Sequence, residues 1–197
     1  MSRNTKWTID PSHSEIGFKI RHLMISYVKG SFKTYDATIY TDGNDFSTAE
    51  IDFWIDPKSV STGDEKRDEH LKGPDFFDAE NHKEITFRAT SVERSGDGML
   101  ELWGDLTVRG ITKNIRLEVT QGGIMKDPWG KEKAGFSIKG KIKRDDWKLT
   151  WNAPLETGGV LVGGDVIITC DVELVKADPD KEMKIEAAET DEIAAEE

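Results

Sequence analysis

The chain has 197 residues, with 27 Lys and Arg against 38 Asp and Glu, 36% hydrophobic residues and a formal net charge of −11. That length suits one domain able to bury a core of its own, while the negative balance excludes a surface built for nucleic-acid phosphates and adsorption on anionic lipid by overall charge. The single cysteine, Cys170, excludes an internal disulfide and a cysteine-rich zinc site.

The opening segment, MSRNTKWTIDPSHS, has no apolar run after a basic start, so it does not read as an export leader. No stretch approaches the ~18 apolar residues of a membrane-spanning helix. The expectation is a cytoplasmic protein as the sequence stands, unless an export signal has been trimmed away.

Period-two alternation sets the fold class. Ile16, Phe18 and Ile20 share one face, with Glu15, Lys19 and Arg21 on the other. Between Val28 and Ile39 the apolar parity slips from even to odd positions, which predicts a β-bulge near Lys33-Thr34. Asp42-Gly43-Asn44 then supplies a hairpin turn, and Ile51, Phe53 and Ile55 alternate with Asp52, Trp54 and Asp56. Residues 61–72 break the pattern: capping residues, acids in the first turn and a stop at Gly73-Pro74 predict one short helix. Phe76 and Phe77 follow and are placed to tuck this segment onto the sheet.

Alternation resumes with Ile85 and Phe87. It continues through Leu100, Leu102, Leu106 and Val108, through Ile115, Leu117 and Val119, through Phe136, Ile138 and Ile142, and finally from Val166 to Leu174. These are strands wet on one side. About eight of them in one sheet that must hide its edges predict an all-β fold: an antiparallel β-barrel with one short helix. From Lys176 to Glu197 there are nine acidic residues, three lysines and no aromatic residue. The expected organisation is therefore a barrel over residues 1–175 and an acidic tail, disordered or marginally helical, over 176–197.

Recognisable catalytic and metal motifs are missing. His13, His22, His70 and His82 show no ligand spacing, and no nucleophile elbow, P-loop or dinucleotide fingerprint follows a strand. Asp68 and Glu69, beside Arg67, read as a solvated helix face before they read as an acid/base pair. Lys139, Lys141, Lys143 and Arg144 read as an outward strip that protects an edge or aids solubility. Inward aromatic residues stand out instead. Phe18, Phe32, Phe53, Phe87 and Phe136 either fill the barrel as core or line a cavity, since barrels of about eight strands do both.

Several blocks in order give this sequence a family likeness. They are Ile9-Asp10-Pro11-Ser12-His13-Ser14 with Phe18 and His22; Arg67-Asp68-Glu69-His70-Leu71 through Asp75-Phe76-Phe77-Asp78 to Ile85-Thr86-Phe87; the stretch from Gly104 to Lys113; and Asp127-Pro128-Trp129-Gly130 with Ala134-Gly135-Phe136, completed by the stretch from Trp151 to Gly159. In these the chain resembles the YceI-like family, lipocalin-like barrels that bind polyisoprenoids and related lipids. Two departures stand out: Asn81-His82-Lys83-Glu84 replaces the Tyr-Pro usual before the Ile-Thr-Phe strand, and family members are often periplasmic.

The resemblance implies a non-enzymatic binder of a long apolar lipid, such as a polyisoprenoid, an isoprenoid quinone or a fatty-acid-like chain, acting as carrier, store or sensor. It implies no resident cofactor and no metal. The implied cavity lining is Ile16, Phe18, Ile20, His22, Phe32, Phe53, Phe76, Phe77, Phe87, Leu102, Leu106, Phe136 and Ile138. Loops near His70, Trp129 and Trp147 are placed as the rim for a polar head group. One alternative is an enzyme acting on such a lipid, with His22 as acid/base and Asp10 or Glu156 as its partner. Another is an interaction module using the acidic tail. A homodimer is compatible with either architecture.

Overall fold

The computed structural model describes residues 5–178. The strands are β1 (Thr5–Ile9), β2 (Glu15–His22), β3 (Ser26–Phe32), β4 (Tyr35–Asp42), β5 (Asp45–Ile55), β6 (Val60–Ser61), β7 (Ile85–Gly96), β8 (Met99–Val108), β9 (Ile111–Lys126), β10 (Glu132–Lys143) and β11 (Val162–Lys176). A helix, α1 (Glu65–Lys72), lies between β6 and β7. The sheet order is β1-β4-β5-β7-β8-β9-β10-β11-β2-β3-β6, and β1 also pairs with β11, so the sheet closes.

Several of these strands are halves of longer staves. Both β1 and β2 lie antiparallel to β11, with Ile9 opposite Leu174 and Glu15 opposite Asp171. Both β3 and β4 lie along that stave in turn, with Phe32 opposite Ile16 and Thr38 opposite Thr8. Counted as staves, the fold is an eight-membered antiparallel meander closed on itself, the lipocalin-like architecture that alternation predicts. The β-bulge expected at Lys33-Thr34 is instead a bend that ends β3 and starts β4, so the parity slip is absorbed as the stave passes from pairing with β2 to pairing with β1.

Three further details differ from the sequence reading. The helix begins at Glu65 rather than among the capping residues at Ser61, because Asp64 accepts a 2.9 Å hydrogen bond from the Arg67 backbone N–H and starts it there. β10 is no edge strand, since it pairs with both β9 and β11, so its lysines have no edge to protect. Arg144 leaves the outward strip altogether: it is buried at 4% exposure. The acidic-tail expectation falls on residues that, beyond 178, lie outside those described. Among the described residues, no helix is long and apolar enough to cross a membrane.

One end of the barrel is sealed by aromatic packing. Trp7 is fully buried, with its ring centroid 5.0 Å from Phe46, which lies 4.7 Å from Phe136. The Trp7 indole N–H donates to the Thr41 hydroxyl at 2.9 Å, and that hydroxyl donates to the Gly43 carbonyl at 2.6 Å. A bulky ring can therefore close the bore without stranding its polar atom.

Beside this end, Asp10 organises the turn between β1 and β2. Its carboxylate accepts from the Ser12 backbone N–H at 3.1 Å and hydroxyl at 2.6 Å, and contacts His13 Nδ1 at 3.0 Å. Lys133 bridges Asp10 and Glu173 at 3.2 and 2.7 Å. Asp10, His13 and Glu173 have the composition of a small metal site, but the Lys133 ammonium already holds the cation position between its two carboxylates. The Ser12 hydroxyl foremost, then His13 and Lys133, hold the Asp10 carboxyl well below the usual carboxylate range.

A depressed folded pKa stabilises the fold above the unfolded value and is lost as pH falls through it. Asp10→Asn keeps an equally good cap but removes the charge. We expect it to cost about 1–2 kcal/mol in urea unfolding at neutral pH, with the gap to wild type closing below about pH 4. A gap that stayed constant into acid would contradict the assignment.

Candidate functional site

The interior holds a cavity of about 610 Å³, walled almost entirely by apolar side chains. That is the size range of small-molecule and cofactor sites, roughly 300–1,000 Å³. It is elongated: Val166, Ile168, Cys170, Val172 and Leu174 line it along one strand, a run of roughly 26 Å. Burial pushes the Cys170 thiol up to about 11, so it behaves here as a small apolar wall residue.

The bore stays open because glycines face inward opposite the largest side chains. Gly30 sits across from Phe18 in the β2–β3 register, and a Cβ there would lie 2.7 Å from the Phe18 ring. Gly104 stands next to Phe87, where a Cβ would meet the ring at 2.6 Å and the Arg88 carbonyl at 2.7 Å. Gly140 gives the same room to Leu117, its register partner. Each large side chain lies in the space a neighbour's Cβ would take, against the wall instead of across the lumen.

All thirteen residues named from the sequence as lining, from Ile16 to Ile138, face this one cavity. The aromatic residues thus divide their work: Phe46 and Phe136 also pack the sealed end, while Phe18, Phe53 and Phe87 form wall. The three rim candidates separate. His70 lines the cavity; Trp147 lines it too but is buried, its indole N–H donating to the Leu106 carbonyl at 3.2 Å. Trp129 is not at the mouth, because the β9–β10 connection carrying it leaves the sealed end, and there it stands 83% exposed.

The mouth lies at the other end, between α1, the β2–β3 turn and the segment leading into β11. α1 contributes Lys66, Arg67, His70 and Leu71; β2 contributes Arg21 and His22; Trp151, Leu161 and Val162 close the circle. His70, Phe76 and Trp151 pack edge-on or tilted, with centroids 4.7–5.5 Å apart, and His70 Nε2 lies 2.9 Å from an Asp75 carboxylate oxygen. Thr62 anchors α1: its hydroxyl donates to Asp68 at 2.5 Å and accepts from Arg67 Nε at 2.7 Å. Arg67 and Asp68 therefore serve a structural clamp rather than an acid/base pair.

The charge of the lining is one-sided. Arg21, Lys66, Arg67 and Arg144 line the cavity, and among the described residues no Asp or Glu does. Buried Arg144 is held by main-chain carbonyls, from Nε to Gly163 at 2.9 Å and from Nη1 to Trp151 at 2.9 Å and to Leu149. Carbonyls satisfy its donors; burial disfavours its charge, and the neighbouring Asp145 carboxylate favours it. The outward reading of Arg21 holds for its guanidinium, which lies over the Tyr27 ring, while the residue borders the mouth. Arg144 was grouped with the outward lysines, yet it shares the even, inward parity of Phe136, Ile138 and Ile142 and opens a turn of 3₁₀ helix (Arg144–Trp147) past the end of β10. The acid/base arrangement around His22 is not assembled: Asp10 is engaged with Ser12, His13 and Lys133, and Glu156 is not among the lining residues.

The model for the YceI-like domain matches residues 7–174, nearly all of the described chain. The chain belongs to the YceI-like family. Among its relatives, the UPF0312 protein SAS2572 of Staphylococcus aureus strain MSSA476 is 42% identical over 163 residues, covering 82% of this chain and 92% of the relative. The crystal structure of the Campylobacter jejuni YCEI protein is similar with a TM-score of 0.70 and 37% identity, covering 86% of this chain and 96% of that one. A polyisoprenoid binding domain from Saccharophagus degradans shares the YceI-like fold at 15% identity, with a TM-score of 0.62 over 87% of this chain and 98% of its own.

The inward glycines give the open bore a direct test. Gly104→Ala places a methyl against Phe87 and the Arg88 carbonyl, turning the ring into the lumen. The expected result is a folded barrel, destabilised by about 1–3 kcal/mol, whose crystal structure shows a shortened cavity. An unchanged cavity would contradict the clearing role of these glycines.

Proposed function

We propose that this protein binds a long apolar lipid of polyisoprenoid, isoprenoid-quinone or fatty-acid type inside the barrel, as a non-catalytic carrier, store or sensor. The observation that carries this reading is the elongated apolar bore, sealed at one end and open at the other. Sheltering a chain there gains about 0.8 kcal/mol per methylene removed from water. A hydrocarbon chain offers no hydrogen-bonding handle, so bore length and shape select it. The polyisoprenoid binding of the S. degradans domain on the same fold supports the choice of ligand class.

The cationic lining adds an orientation. A chain entering tail-first leaves its head beside Lys66 and Arg67, with buried Arg144 behind them. An anionic head, carboxylate or phosphate, fits this mouth better than a neutral one. The enzyme alternative drew on His22 paired with Asp10 or Glu156, and that pair is not assembled.

Titration of the tryptophan fluorescence with geranylgeranyl phosphate and with geranylgeraniol tests both parts. Saturable binding of both, tighter for the phosphate, is expected. Lys66→Glu should weaken the phosphate roughly tenfold, about 1.4 kcal/mol, and leave the alcohol unchanged. Binding of neither would overturn the lipid reading; equal affinities unmoved by Lys66→Glu would overturn the orientation.

A further inference from the structure

The turn joining β2 to β3 is built against local preference. Leu23 and Met24 both take positive φ, 52° and 61°, and the Ile25 N–H returns to the His22 carbonyl at 3.2 Å. Positive φ at both central positions of such a tight turn is the geometry that Asn-Gly adopts freely and that residues with larger side chains resist. Here the turn carries Leu-Met, followed by Ile25, which is 80% exposed; Met24 is 54% exposed and Tyr27 42%. Backbone strain at Leu23 and Met24 and exposed side chains at Leu23, Met24, Ile25 and Tyr27 fall together at the cavity mouth. The Leu23 N–H also donates to the Leu161 carbonyl at 2.9 Å, joining the tip to the apolar Val160-Leu161-Val162 segment that forms the other lip.

Charge around the tip reverses that of the chain. From Ile16 to Tyr35 there are four Lys and Arg residues and no acid, in a protein of net charge −11. Lys19 stands directly opposite Lys29 in the β2–β3 register, a like-charge pair that a sheet ordinarily avoids. Lys19 and Arg21 both lie over the Tyr27 ring, at 5.3 and 4.6 Å, on the hairpin's outer face. Of the carboxylates on the segment leading into β11 and at its start, Asp165 is paired with Lys141 at 3.4 Å and Glu156 is exposed in a turn.

We infer that the Leu23-Met24-Ile25 tip docks this protein on an anionic bilayer surface. The three apolar side chains enter the headgroup–acyl boundary, Tyr27 sits at headgroup level, and Lys19, Arg21 and Lys29 meet lipid phosphates. Docked this way, the cavity mouth faces the membrane, and a lipid can pass into the bore without crossing water. The inference rests on the lipid reading for its purpose but not for its test. It assigns the docking to one local patch, which the overall negative charge would otherwise oppose.

Vesicle co-sedimentation of the full chain, with phosphatidylglycerol in phosphatidylcholine against phosphatidylcholine alone, tests it. The decisive variant is Leu23→Asn with Met24→Gly and Ile25→Thr, which relieves the turn and so keeps or raises the Tm while removing the apolar tip. The expected result is binding to the anionic vesicles, weakened by salt, that the triple variant reduces by at least about tenfold. Uptake of geranylgeranyl phosphate from solution, measured in parallel on both proteins, should be unchanged; its failure in wild type would count against the lipid reading alone. No vesicle binding by wild type, equal binding by the triple variant, or a wild-type dimer that the variant dissolves would overturn the docking.

Discussion

Phe18 lies against the bare backbone of Gly30, Phe87 against Gly104, and Leu117 against Gly140, and these three contacts govern what the closed sheet encloses. An eight-staved barrel has an interior that side chains can just fill. Whether it becomes core or container depends on where its large residues find room. Inward glycines let the rings lie along the wall, while Trp7, Phe46 and Phe136 take the opposite role and close one end. The same residue types thus make wall or plug according to what faces them across the strands.

The electrostatics follow a similar separation. The outer surface and the acidic sequence beyond Lys176 give the protein its negative charge, yet every charged residue lining the cavity is a cation. An apolar bore with cations at its mouth suits an amphiphile with its head there. The strained, apolar and locally basic β2–β3 turn stands at that same mouth. Strain concentrated beside a cavity is the pattern expected when local stability has been given up for a function.

Much of this was legible in the sequence, because strand parity is a local property. Alternation from Ile16 to Leu174 predicted the barrel and which strand residues face inward, and the parity slip at Lys33-Thr34, read as a bulge, is where β3 gives way to β4. What parity could not supply lies where strands end. Arg144, grouped with the outward lysines, is buried in a turn of 3₁₀ helix past β10, and Trp129 looked like a mouth residue although its hairpin leaves the sealed end. Inward glycines register in a sequence only as weak strand positions. Their meaning, that Gly104 clears space for Phe87, requires the register across β7 and β8. The Leu-Met turn was equally hidden, since nothing local announces positive φ at such residues.

The central claim, that the bore is a container for a long lipid, is tested most directly by mass spectrometry of organic extracts from the purified full-length protein, alongside its intact native mass. The prediction is one long-chain lipid per chain, retained through purification and lost on unfolding. Repeated recovery of lipid-free protein, with a crystal structure showing the bore filled by its own side chains, would contradict it.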